Sequence, residues 1–190
     1  MKKKAVFIDR DGTLIKEAGY LSSLKKVHIY KNSIKALEML EKNGYMPIII
    51  SNQSGVARGY FTEDFVKKTH KYIDSLLKKQ GVKICAYYYC PHHTKDVRVQ
   101  KYFKDCNDRK PKTGMVMKAK KRFDIDLKKS FAIGDKITDV KLAKNSGMKG
   151  ILVLTGFGKE ERKLIKRQNV KPDYIAKDIL DAVAWIIKTR

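Results

Sequence analysis

The sequence is short of most things that would mark an extracellular, membrane or fibrous protein. It has 3 cysteines in 190 residues, too few and too odd in number for a disulfide framework. No apolar run approaches the roughly 20 residues needed to cross a bilayer. The basic start Met1-Lys2-Lys3-Lys4 leads into an apolar stretch that ends at Asp9, too short for a secretory signal. No Gly/Ser linker, internal repeat or low-complexity tract divides the chain. Acid is scarce: 20 Asp and Glu stand against 43 Lys and Arg, a formal charge of +23. These absences predict an intracellular, reducing compartment, the cytoplasm, with the cysteines free or on a metal.

What remains supports one globular domain. A length of 190 residues suits a single domain, and 43% apolar residues are enough for a core, which argues against disorder. A charge of +23 raises nucleic acid or anionic membranes as partners. The basic residues, however, are spread over nearly every segment. No basic stretch is interleaved with aromatics as base stacking would need. Neither nucleic acid nor membrane is therefore expected as a partner.

Apolar patterning alternates strand and helix throughout. Strands are predicted at Ala5–Ile8, Pro47–Ile50, Ile84–Tyr89, Ser130–Ile133, Gly150–Leu154 and Pro172–Ala176. Between them fall a helix capped by Asn32 and stopped at Gly44, one opened by Thr62, one over Thr113–Phe123, one through Asp139 and Leu142, and a closing one over Ile179–Ile187. Residues 91–110 carry no period and read as a long loop. Near-continuous apolar strands alternating with helices predict an α/β, doubly wound, mainly parallel sheet with helices on both faces and no large cap domain. In such sheets ligands bind beyond the carboxyl ends of the strands.

The strand exits are where the polar residues gather. The first is Asp9-Arg10-Asp11-Gly12-Thr13. Two carboxylates at i and i+2 leave a strand on one side. They suit Mg²⁺, or an attack on phosphorus by one while the other shuttles a proton. Taken alone, the pentapeptide is equally an ordinary polar turn. The second exit, Ser51 to Gly59, offers a hydroxyl, a glycine loop for phosphate oxygens and the planar fork of Arg58. The long loop ends in Arg109-Lys110-Pro111, and the fourth exit reads Gly134-Asp135-Lys136-Ile137-Thr138-Asp139. Asp135 completes an acidic site with Asp9 or merely caps a helix, and Asp139 braces a loop or a lysine from behind. Cys85 and Trp185 read as core or rim. No partner is assigned to His28 or His70.

Asp-x-Asp, Ser, Lys and Gly-Asp-x-x-x-Asp, in this order at these exits, resemble the four motifs of the haloacid dehalogenase superfamily of phosphohydrolases. Gln53-Ser54-Gly55-x-Ala57-Arg58-Gly59, Cys90-Pro91-His92 and Gly114-Met115 are similar to the heptose-bisphosphate phosphatase family, in the subfamily that also holds the histidinol-phosphatases. The resemblance implies Mg²⁺-dependent phosphatase activity on a small phosphorylated sugar, the 7-phosphate of a heptose 1,7-bisphosphate, within nucleotide-activated heptose biosynthesis. It makes Asp9 the nucleophile and Asp11 the acid and base. Asp9, Asp135 and the main-chain carbonyl of Asp11 become Mg²⁺ ligands. Ser51 and Lys110 would hold the phosphoryl oxygens. Thr13, Asn52, Arg58, Arg109 and Lys136 would bind the rest of the substrate. The family's loop zinc implies Cys90, His92, Cys106 and Asp108 as Zn²⁺ ligands over about residues 90–110, with Asp where the family has a fourth Cys. One domain spanning 1–190 and a monomer are expected. A histidinol phosphatase, a nucleic-acid end-phosphatase and an inactive basic binding module are the competing readings.

Overall fold

The computed structural model describes residues 2–189. Six strands form a single sheet: β1 (Lys4–Ile8), β2 (Tyr45–Asn52), β3 (Ala86–Cys90), β4 (Phe131–Gly134), β5 (Lys149–Val153) and β6 (Tyr174–Ala176). Their order is β3-β2-β1-β4-β5-β6, and all five pairings are parallel. The helices between them are α1 (Lys31–Lys42), α2 (Glu63–Lys78), α3 (Gly114–Phe123), α4 (Ile137–Asn145), α5 (Gly158–Leu164) and α6 (Ile179–Lys188).

Side chains alternate across a strand, and β1 splits its apolar residues between two cores accordingly. Val6 and Ile8 face the side covered by α1, α2 and α6, where Leu37, Leu40, Ile73, Leu77 and Ile186 are buried. Ala5 and Phe7 face Met115 and Val116 of α3 and Leu142 of α4. Both faces of the sheet are therefore covered, which explains why its central strands read as continuous apolar runs. Each large aliphatic side chain buried in this way contributes about 1.5–3 kcal/mol.

The elements start and stop close to where the sequence places them, with two exceptions. Asn32 does not cap α1. Tyr30 holds the cap position, and the Asn32 amide instead donates to Asp178, the residue that caps α6. The hydrogen bond across the α1–α6 seam has taken the side chain away from its own helix. The second exception is α5, which the sequence reading left out. Thr62 caps α2 as expected, accepting from the Phe65 N–H.

The order reverses direction between β1 and β4. β2 and β3 extend to one side of β1, and β4, β5 and β6 to the other. The loops leaving β1 and β4 consequently diverge and leave a crevice at their carboxyl ends. Asp9 follows β1 there, and Asp135 follows β4.

Candidate active site

Asp9 sits directly beyond β1, buried, with its N–H still bonded to the Ile133 carbonyl of the neighbouring strand at 2.9 Å. Its Oδ1 receives the Arg10 N–H at 2.8 Å and the Lys110 ammonium at 2.8 Å. Lys110 also reaches Asp139 Oδ1 at 2.6 Å and donates to the Ile50 carbonyl at 3.1 Å. An ammonium has three protons, so all of its donors are engaged. Burial works against the charge on Lys110, but Asp139 and Asp9 outweigh it and raise its pKa above the ordinary value.

Asp9, Asp135 and Asp139 place carboxylate oxygens within 4.8 Å of one another. All three are buried. Burial is the largest cause that raises the Asp9 pKa to about 6, with Lys110 opposing and Asp139 adding to the rise. Burial, then the charges of Asp9 and Asp139, raises Asp135 to about 8. Asp135 Oδ2 accepts the Phe157 N–H at 2.8 Å, while its buried Oδ1 has no partner among the described residues. Three carboxylates against Lys110, with the Lys136 charge acting on them as well, still leave an excess of negative charge, which a small hard dication would neutralise. The donor set fits Mg²⁺.

Asp11 lies apart from this group. β1 ends at Ile8, and the chain turns through Gly12 at φ +82°, so the strand alternation expected to align the two carboxylates does not reach Asp11. Its carboxylate is held from one side by Arg10, whose Nε and Nη2 donate at 2.9–3.2 Å. Gln53 Nε2 donates to it at 2.8 Å. Gln53 also donates to Ser51 Oγ at 2.6 Å, which leaves the Ser51 proton available to a ligand.

A cleft of about 240 Å³ opens beside these groups, lined by Arg10, Asp11, Tyr20, Asn52, Lys136 and Phe157. A larger groove of about 670 Å³, among Lys4, Tyr45, Phe131 and Lys149, lies at the opposite end, where the strands begin. None of the carboxylates above lines it, so the smaller cleft is the one that serves the chemistry.

Several residues assigned to substrate are engaged with other groups of the protein. Asn52 lines the cleft but spends its amide on Lys110, accepting its N–H at 3.0 Å and donating to its carbonyl at 3.1 Å. It positions the lysine. Arg109 Nη1 donates to the His92 carbonyl at 3.2 Å, and Arg58 Nη1 pairs with Asp96 at 3.1 Å. Thr13 is fully buried and lines a separate depression with Tyr30 and Thr155. Lys136 is where expected, its ammonium 4.6 Å above the Phe157 ring. Asp139 braces Lys110 as the sequence suggested. Arg10, Gln53 and His70 were missed.

In the long loop, Cys90, His92 and Cys106 gather their ligand atoms within 4.8 Å. Two thiols and an imidazole fit Zn²⁺. Asp108 is not the fourth member. Its carboxylate pairs with Lys118 of α3 and packs against Gly114, where a Cβ would overlap it.

A parallel sheet that places a buried aspartate, a lysine and further carboxylates at its switch point defines a haloacid dehalogenase-type phosphatase. Comparison with known proteins agrees. Residues 107–182 match the HAD-hydrolase-like family model. The D-glycero-beta-D-manno-heptose-1,7-bisphosphate 7-phosphatase of Pasteurella multocida is 43% identical over 155 residues, 81% of this chain and 83% of that protein. The D-glycero-D-manno-heptose-1,7-bisphosphate 7-phosphatase of Thermosynechococcus vestitus is 39% identical over 189 residues, 98% of this chain and 96% of that protein. The crystal structure of D,D-heptose 1,7-bisphosphate phosphatase from B. bronchiseptica, complexed with magnesium and phosphate, superimposes with a TM-score of 0.85. It is 25% identical and covers 98% of this chain and 99% of its own. The chain belongs to the D-glycero-D-manno-heptose-1,7-bisphosphate 7-phosphatase family of the haloacid dehalogenase superfamily, and it is a phosphatase.

Proposed function

We propose that this chain removes the 7-phosphate of D-glycero-D-manno-heptose 1,7-bisphosphate through an aspartyl-phosphate on Asp9. The observation that carries the reading is Asp9 itself, buried at the switch point between Lys110 and the unsatisfied Asp135. Its two close contacts fall on Oδ1, so Oδ2 is the attacking oxygen. In the first half-reaction Oδ2 bonds to phosphorus, the bond from phosphorus to the sugar oxygen breaks, and Asp11 gives that oxygen its proton. In the second, Asp11 takes a proton from water, the water oxygen bonds to phosphorus, and the bond to Asp9 breaks, releasing phosphate. The Ser51 hydroxyl donates to a phosphoryl oxygen; Lys110, its three protons taken by Asp9, Asp139 and the Ile50 carbonyl, acts on the phosphoryl group by its charge, and Asn52 holds Lys110. Asp9, Asp135 and the Asp11 carbonyl would hold Mg²⁺, whose positive charge would let an anionic nucleophile approach an anionic phosphoryl group. Lys136 meets the substrate across the cleft.

In the same reading, Zn²⁺ on Cys90, His92 and Cys106 fixes the loop that carries Arg109 and Lys110. The chain acts as one domain over residues 1–190, as a cytoplasmic monomer. The test is phosphate release from both anomers of heptose 1,7-bisphosphate, fructose 1,6-bisphosphate, histidinol phosphate and an oligonucleotide 3′-phosphate. The highest kcat/KM is expected on a heptose bisphosphate; a preference for histidinol phosphate or the oligonucleotide would replace this substrate assignment.

A further inference from the structure

His70, on α2, is a buried histidine that the chemistry above leaves unused. Its Nε2 lies 3.3 Å from Arg10 Nη1, 60 residues away in sequence. A guanidinium only donates, so Nε2 accepts and the ring carries its proton on Nδ1. Burial, then the charge of Arg10, lowers the His70 pKa from 6.5 to about 3, with Asp11 opposing. The imidazole is thereby kept neutral. The ring stacks on Tyr87 at 4.6 Å and meets Tyr89 edge-on at 5.6 Å. The Tyr87 hydroxyl in turn donates to Asp74 at 2.8 Å. His70 is thus fixed from behind before it meets Arg10.

Arg10 is 2% exposed, an unusual burial for a guanidinium. It commits Nε and Nη2 to Asp11 and Nη2 also to Gln53. Nη1 is the remaining arm, and His70 receives it. Anchors on three sides set the guanidinium plane, and that plane sets the carboxylate it grips.

We propose that His70 is a positioning residue for the phosphatase reaction: by accepting from Arg10 Nη1 it holds the guanidinium in the orientation that presents Asp11 to the cleft. The proposal rests on the reading of Asp11 as the group that moves the proton. His70 touches neither substrate nor reacting atoms, and its effect reaches the chemistry only through Arg10.

The experiment compares wild type, His70→Gln, His70→Asn and Asp11→Asn, each checked for folding by its Tm. In Gln, Oε1 falls near the place of Nε2; in Asn, the shorter side chain withdraws the acceptor. On heptose bisphosphate, His70→Asn is expected to lower kcat about tenfold with KM within about twofold, the cost of one buried hydrogen bond to a charged group. His70→Gln is expected to recover most of that loss. With p-nitrophenyl phosphate the leaving group departs unprotonated, so the rapid-quench burst of p-nitrophenol should keep its wild-type rate in His70→Asn. A merely structural role would slow the burst as well. Nitrogen NMR of the wild-type protein should find His70 neutral with its proton on Nδ1. A folded His70→Asn with wild-type kcat, an equal loss in burst and sugar turnover, or a proton found on Nε2 would each overturn the proposal. Full turnover by Asp11→Asn would instead overturn the proton-transfer reading beneath it; an inactive Asp11→Asn beside a normal His70→Asn would remove only the role of His70.

Discussion

At Gly134 the site depends on a side chain that is not there. A Cβ on this last residue of β4 would overlap the Asp139 carboxylate, which both pairs with Lys110 and accepts the Lys136 N–H at 3.2 Å. Gly134→Ala should therefore push Asp139 off Lys110 and leave the lysine to swing toward Asp9. Misplacement on the order of 1 Å in such a site costs roughly 100-fold in rate. The expected result is a large fall in kcat with a small change in Tm; unchanged kcat in a folded variant would mean that Asp139 does not set the lysine. Residues of this kind divide by how far the chain alone reveals them. Asp9, Ser51 and Asp135 were legible because each stands at the end of a strand, a position that periodicity locates; Lys110 closes a loop with no period and was legible only through its place in the order of motifs. Arg10 stood in the same motif, but its burial against His70 joins two elements far apart in sequence, and no local pattern records that. Asn52 and Asp108 were assigned by the resemblance, while their actual partners, the Lys110 backbone and Lys118, are set by the fold.

At the scale of elements, the segment between β3 and α3 joins the two metal-fitting groups. Gln53 N–H, at the exit of β2, bonds to the Cys90 carbonyl at 2.8 Å, and Arg109 bonds to the His92 carbonyl. Lys110 follows at once. Holding Cys90, His92 and Cys106 on one ion removes closure entropy from this loop and fixes where Lys110 enters the site. Cys106→Ser is expected to lose bound zinc, measured by metal analysis of protein purified without added zinc, and to lower kcat in parallel. Zinc bound equally by wild type and Cys106→Ser would move the ion elsewhere. Existence of the elements was legible from apolar period, since both faces of the sheet are buried. α5 was not: it has seven residues, and only Gly158 among them is buried, so it leaves no apolar stripe to find.

Across the whole molecule, charge and burial set the response to pH. The His70 pKa falls from 6.5 in an unfolded chain to about 3 in the fold. Above 6.5 neither state is protonated there. Below it the unfolded chain gains a proton that the folded one refuses, so stability is lost as pH falls from 6.5 toward 3. Arg10 and Asp11 are the charges facing the ring, with Tyr87 and Tyr89 packed on it. Between pH 7 and 5 wild type should lose about 2 kcal/mol more than His70→Gln, taking one proton per chain at most. Urea titrations of the two proteins at both pH values measure this; parallel losses would show that His70 titrates as freely in the fold as out of it.

The central claim is that Asp9 carries the phosphoryl group between two half-reactions. Asp11→Asn leaves the nucleophile in place and removes the base for hydrolysis, so the intermediate should accumulate. The most direct measurement is mass analysis of acid-quenched protein after mixing with p-nitrophenyl phosphate, whose leaving group needs no proton from Asp11, followed by mapping of the modified peptide. The account predicts one phosphoryl group on the peptide containing Asp9 in Asp11→Asn, and none in Asp9→Asn, which should also be inactive. Phosphate on another residue, or turnover by Asp9→Asn at the wild-type rate, would contradict it.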